Sequence, residues 1–211
     1  MCNIYHGFWN VYDAFMAGHS HGKGEFHHKC PWWMGYILIS PLRRIWHNPA
    51  RILSGLVSDG MTVLEVGPGM GFFSLELAKL VGATGRVVAV DVERKMLDAL
   101  GRRAKRAGLA ERFDLRLAGH DGLGITDLPG RVGFILAFWV VHELPDTAVY
   151  FREAVSMLKP GGTMLFSEPA GRVKQDQFDK VIRQAEEAGL SMVGTPDIPR
   201  SRSALLVKKA G

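Results

Sequence analysis

Cysteine is scarce in this chain: two of 211 residues, Cys2 and Cys30, both near the start. A disulfide-held scaffold would need more of them in a shorter chain, so a reducing, cytoplasmic setting is expected. No basic stretch followed by an apolar core opens the sequence, and a signal peptide is not expected. The longest apolar runs, around Ile37 to Leu42 and Val132 to Val141, are too short to span a bilayer. There is no internal repeat. Charge of one sign is not concentrated either. The formal excess of +5 is spread over Arg43 and Arg44, then Arg102, Arg103, Lys105 and Arg106, then Lys208 and Lys209. Such a spread permits an anionic ligand without demanding one, and a solvated basic surface is the favoured reading. Nucleic acid is not expected as a partner.

What is present is the balance of an ordinary globular domain, 47% hydrophobic and 22% charged. Residues 1–47 form an expected N-terminal arm, partly helical, ahead of a domain over 48–211. The arm holds five of the eight histidines (His6, His19, His21, His27, His28) within its first 35 residues, and three of the five tryptophans. Its Cys and His spacing matches no structural zinc pattern, so no metal is expected. Pro49 suits the first turn of a short helix.

After Gly60 the pattern becomes regular. Short apolar strands are expected at Thr62–Val66, Arg86–Val90, Phe113–Leu117, Phe134–Val140 and Thr163–Ser167. Helices are expected between them at Phe72–Leu80, Glu93–Arg106 and from Asp146 to near Leu158, with Asp146 as cap. Lys159-Pro160-Gly161-Gly162 reads as a turn. A last helix, Phe178–Ala188, precedes two closing strands near Leu190–Val193 and Ser203–Lys208, which should pair as an antiparallel hairpin. Strand and helix alternating for about 150 residues imply an α/β fold, a parallel sheet covered on both faces.

The segment Glu65-Val66-Gly67-Pro68-Gly69-Met70-Gly71 follows the first strand. A strand turning sharply into a helix needs glycine where backbone and ligand approach closely, and the helix start presents unpaired amides. Asp91 ends the next strand, 24 residues after Gly67, where a carboxylate can accept from ribose hydroxyls. The glycine spacing is G-x-G-x-G, with Phe72 where a dinucleotide fingerprint has its third glycine. Glu65 would repel a pyrophosphate and welcome a cationic ligand end.

VLEVGPGMGFFSLELAKLVG resembles the first motif of class I S-adenosylmethionine methyltransferases, and VVAVDVERKML resembles their second. FILAFWVVHELPD followed by LKPGG resembles the later motifs of the small-molecule branch, which includes quinone-biosynthesis C-methyltransferases. The likeness covers roughly residues 48–211, and it departs at Gly133, where aspartate is frequent. It implies a doubly wound Rossmann-like sheet of seven strands, order 3-2-1-4-5-7-6 with the seventh antiparallel. It implies S-adenosyl-L-methionine as cofactor and methyl transfer to a small molecule without specifying which; a small, apolar or aromatic acceptor is what a lid of Trp32, Trp33 and Tyr36 would suit. Gly67 and Gly69 would line the methionine part, with Glu65, Pro68 and Gly71 also among the cofactor-binding residues; Asp91 would hold the ribose and Val92 pack on adenine. His120 or Asp121 would sit near the adenine amino group, and Ala137 beside the cofactor.

His142 and Glu143 follow the fourth core strand at its carboxyl end, where open α/β sheets bind ligands, and are the catalytic candidates. Histidine exchanges protons near neutrality; the alternative is a capping or packing pair ahead of Pro145. Trp32, Trp33 and Tyr36 could shape an acceptor pocket, pack on the core, or touch a membrane surface. Glu168 is a further pocket candidate. No N/D-P-P-Y/F/W stretch and no Pro-Cys pair follow the fourth strand, and Cys2 and Cys30 are too few thiols to hold arsenic. The rival readings are an RNA or protein methyltransferase, a non-catalytic S-adenosylmethionine-binding protein and, last, an NAD-dependent oxidoreductase.

Overall fold

The computed structural model describes residue 39 and residues 41–119 and 122–209. A 3-10 turn at Pro41–Ile45 leads into a short helix α1 (Pro49–Ile52), capped by the Asn48 Oδ1, which accepts from Ala50 N at 3.1 Å. Seven strands and four further helices follow: β1 (Thr62–Val66), α2 (Ser74–Leu80), β2 (Arg86–Asp91), α3 (Arg94–Arg106), β3 (Phe113–Leu117), β4 (Val132–Phe138), α4 (Thr147–Met157), β5 (Leu158–Pro169), α5 (Gln175–Glu187), β6 (Leu190–Gly194) and β7 (Ser201–Lys208). The strands form one sheet in the order β3-β2-β1-β4-β5-β7-β6. β1 to β5 are mutually parallel, and β7 runs antiparallel to both β5 and β6. This is the architecture that the strand pattern and the resemblance implied.

The central strands are covered on both faces, so their sequences are continuously apolar rather than alternating. All seven residues of β4 are buried. Phe134, Leu136 and Phe138 point into the layer with Leu77 and Ala78 from α2 and Val81 just after it. Ile135 and Ala137 point into the other, with Phe151 and Ala154 from α4 and Phe178 and Ile182 from α5. Asp146 Oδ1 caps α4 by accepting from Val149 N at 2.9 Å, as its position ahead of the helix suggested. Lys208 Nζ donates to Val155 O and Leu158 O, both at 2.7 Å, and ties the end of α4 to the last strand.

Three of the boundaries that differ from the sequence reading have a visible local cause. β5 begins at Leu158 rather than Thr163: Val132 pairs with Leu158 and Phe134 with Thr163, so the Lys-Pro-Gly-Gly turn bulges within the strand. Gly161, at φ 70°, permits that bulge. β4 stops at Phe138, two residues early, because Trp139 turns the chain into the left-handed region at φ 61°. α5 starts at Gln175, where the Gln177 side chain accepts from Lys174 N at 2.9 Å and extends the helix by three residues.

Candidate active site

The site is built at the carboxyl ends of β1, β2, β4 and β5. Gly67 leaves β1 with its N–H donating to Val90 O at 2.9 Å, and Gly71 N closes the loop on Pro68 O at 2.9 Å. All three loop glycines have positive φ, 65°, 54° and 86°. They differ in what surrounds them. A Cβ on Gly67 would lie 2.5 Å from Val140 Cγ2, and one on Gly71 2.4 Å from Leu100 Cδ1. A Cβ on Gly69 would meet nothing within 4 Å among the described residues. Gly67 and Gly71 are therefore required for packing, whereas Gly69 faces open space.

Asp91 lies across that space. Its Oδ2 accepts from Gly69 N at 3.2 Å and its Oδ1 from Glu93 N at 2.9 Å, so the carboxylate braces the loop and each oxygen keeps room for another donor. Burial raises its pKa above the usual carboxylate value, and the two amides offset part of that. Next to it Val92 is 49% exposed, a large apolar side chain left facing solvent beside the loop. Glu65 is 3% exposed, and its Oε2 has no hydrogen-bond partner among the described residues. Its pKa is pushed up to about 7: burial is the main cause, the Ser74 hydroxyl works against it, and the Asp91 charge adds to it. An orphaned buried carboxyl group costs free energy unless a ligand completes it.

Trp139 is held in its strained conformation by two bonds, N to Ser167 O at 2.7 Å and Nε1 to Ser201 Oγ at 3.0 Å. Left-handed backbone at a non-glycine residue costs about 1 kcal/mol or more and persists where the surroundings over-determine it. The turn it makes closes Val140 onto Gly67 and carries His142 over the end of β5. There Glu168, 2% exposed, accepts from His142 N at 3.0 Å through Oε1 and meets His142 Nδ1 at 2.5 Å through Oε2. Glu143 Oε1 is 3.8 Å from His142 Nε2, beyond hydrogen-bond range. The Glu143 pKa is raised, chiefly by burial, with the charges of His142, Arg172, Glu168 and Asp91 also felt.

The structure thus brings Glu65, Gly67, Pro68, Gly69, Gly71, Asp91 and Val92 to one place, with His142, Glu143 and Glu168 beside them. Ala137 is fully buried within β4, in register with Val66 and Phe166, its side chain in the core layer. Trp32, Trp33, Tyr36, His120 and Asp121 lie outside the described residues, as do the five clustered histidines and both cysteines. Sequence reasoning missed the neighbourhood of Arg43, which it placed on a solvated surface. Arg43 is 7% exposed, with its guanidinium 4.4 Å from the Phe72 ring centroid and 5.3 Å from that of Trp139. A charged residue among apolar neighbours carries no local signal of burial; the aromatic partners that stack on it are 29 and 96 residues away. His47, fully buried, was missed likewise: its Nε2 is 2.9 Å from Pro199 O, and its ring packs edge-on against Phe138 and Trp139.

A family model described as a methyltransferase domain matches residues 57–198, two thirds of the chain. The chain belongs to this methyltransferase family. An arsenite methyltransferase of Aquipseudomonas alcaligenes is 36% identical over 115 residues, 52% of this chain and 33% of that protein. A ubiquinone/menaquinone biosynthesis C-methyltransferase of Pseudomonas putida is 27% identical over 149 residues, 69% of this chain and 57% of that protein. The chain thus spans between a third and just over half the length of these curated relatives. In fold, an S-adenosylmethionine-dependent methyltransferase from Aquifex aeolicus superposes with a TM-score of 0.74 at 21% identity, covering 85% of this chain and 98% of that one. The chain shares the fold of that S-adenosylmethionine-dependent enzyme, which makes S-adenosylmethionine the molecule to test against the site. The residues fit that molecule: an unpartnered buried acid for a cationic end, open space over Gly69, a braced acid with spare acceptor capacity, and an exposed valine beside it. Among the described residues no helix is long and apolar enough to cross a membrane.

Proposed function

We propose that this methyltransferase moves the methyl group of S-adenosylmethionine to a small, apolar or aromatic acceptor held above the carboxyl ends of β4 and β5. The observation that carries the reading is the pair of acids beside Gly69: Glu65 buried, with its Oε2 unpartnered among the described residues, and Asp91 braced by two amides. The bound cofactor supplies an electrophilic methyl group on a sulfonium. Glu65 faces the ammonium of the methionine end, Asp91 accepts from the ribose hydroxyls, and Val92 covers one adenine face. His120 or Asp121 receives the adenine amino group. On the acceptor side His142 and Glu143 border the reacting space. Little else is asked of the chain, because an activated donor needs alignment and exclusion of water more than covalent help.

Arsenite is disfavoured as acceptor, since the chain has only Cys2 and Cys30 to hold it. The test is release of S-adenosylhomocysteine from labelled S-adenosylmethionine with a panel of phenols and quinols, aromatic thiols, anilines and bulk tRNA. Label in a small aromatic product supports the reading. Label only in tRNA, lost steeply as salt rises, would replace it with an RNA methyltransferase. Tight cofactor binding with no label in any acceptor would favour a non-catalytic binder.

A further inference from the structure

The pair formed by His142 and Glu168 narrows the acceptor. Glu168, next to last in β5, has its side chain buried, and it grips His142 twice, at the backbone amide and at the ring. A carboxylate can only accept, so Nδ1 carries a proton toward Oε2. In the neutral ring Nε2 is then the lone-pair nitrogen. That nitrogen is buried and has no hydrogen-bond partner among the described residues. Glu143 Oε1, at 3.8 Å, stops short of it, and the Glu143 side chain is 32% exposed. The charges that face the ring are Glu143 and Glu168, with Arg172 and Asp91 around Glu143. The Tyr150 hydroxyl, fully buried and without a hydrogen-bond partner among the described residues, sits within reach of the Glu168 charge. Burial, and then that charge, push its pKa up, so it stays a neutral phenol.

We propose that Glu168 is a positioning residue that fixes His142 as a proton acceptor at Nε2, and that the natural acceptor is a hydroxyl acid such as a phenol. This rests on the methyl-transfer reading above. In the step, the acceptor O–H proton passes to His142 Nε2 and the oxygen bonds to the methyl carbon. The carbon–sulfur bond breaks with its electron pair going to sulfur, leaving a neutral thioether. The imidazolium so formed lies against the Glu168 carboxylate, which compensates its charge in a dry site. A thiolate, an arsenite or a tertiary amine brings its own lone pair and has no use for such a base.

The experiment loads the full chain with S-adenosylhomocysteine and adds 4-nitrophenol, whose colour reports ionisation, or 4-nitroanisole, its methyl ether. Binding of S-adenosylhomocysteine is checked first by calorimetry; its failure would sink the cofactor reading and this proposal with it, whereas failure of the steps below with the product bound would sink this proposal alone. With it bound, the phenol should bind at least tenfold tighter than the ether and show the phenolate colour below its solution pKa. His142→Gln should abolish the colour change, and Glu168→Gln should weaken it about tenfold, both with unchanged S-adenosylhomocysteine affinity. Nitrogen NMR of the His142 ring should show a bare Nε2 in the parent chain and a mixed tautomer in Glu168→Gln. Equal binding of phenol and ether, no phenol binding at all, or a protonated Nε2 in the parent would each overturn the proposal.

Discussion

Replacing Glu65 with glutamine separates the cost of a buried acid from its use. In the free protein the Glu65 pKa stands near 7 against 4.5 for the ordinary group, mainly through burial. That difference is roughly 3 kcal/mol between the two protonation states. The group is raised in the folded state, so the native protein holds its proton more tightly than the unfolded chain. Below about pH 4.5 both hold it and there is no penalty. Between there and about 7 stability falls as pH rises, and above 7 the full penalty is present. Glu65→Gln is uncharged throughout, so it should raise stability by up to about 3 kcal/mol above pH 7 and by little near pH 4. Ligand binding should show the mirror image. A cationic ligand end needs the charged acid, so S-adenosylhomocysteine affinity should rise up to about tenfold per pH unit between about pH 5 and 7, then level off. Glu65→Gln should bind weakly and with only the residual pH dependence that Asp91 supplies. Urea melts and calorimetry over this range, in buffers of differing ionisation enthalpy to count released protons, measure both. An affinity flat with pH and no proton release in the parent protein would refute the reasoning.

Gly69→Ala should lower stability by only about 1 kcal/mol, the cost of left-handed backbone, while weakening S-adenosylhomocysteine at least tenfold. Gly67→Ala adds a collision with Val140 to the same backbone cost, so its melting temperature should fall much further; equal melting of the two variants would contradict the geometry. His47 behaves oppositely to Glu65: burial, with the Arg43 charge next, lowers its pKa to about 4, so the stability it protects is present above pH 6.5 and lost as pH falls toward 4. His47→Gln should flatten that acid limb in urea melts. Phe151→Ala empties a fully buried site between Tyr150 and Phe166 and should cost about 3 to 5 kcal/mol by denaturant melting, with S-adenosylhomocysteine affinity kept wherever the chain is folded.

The sheet was legible because its strands are buried on both faces. Runs such as Val87-Val88-Ala89-Val90 and Phe134-Ile135-Leu136 can be little else when glycine turns and amphipathic helices separate them. The loop was legible from spacing alone, since Glu65, Gly67, Gly69, Gly71 and Asp91 all lie within one strand-turn-helix-strand unit. What spacing did not carry was each glycine's separate reason, which depends on Val140 and Leu100 from distant segments. The grip of Glu168 on His142 was not legible either: the two are 26 residues apart on neighbouring strand ends and meet only because β4 and β5 are parallel and in register. Trp139 was read as strand because its side chain is apolar and aromatic. Its bonds to Ser167 and Ser201, both remote in sequence, override that preference. Arg43 and His47 show the same limit, as burial of a polar side chain is decided by partners that local pattern does not name.

The most direct test of the central claim is calorimetric titration of the full chain with S-adenosylhomocysteine, with NAD as control and Asp91→Ala alongside. The account predicts micromolar binding of S-adenosylhomocysteine, none of NAD, and at least a tenfold loss in the variant. Binding of NAD instead, or an affinity for S-adenosylhomocysteine that Asp91→Ala leaves unchanged, would contradict it.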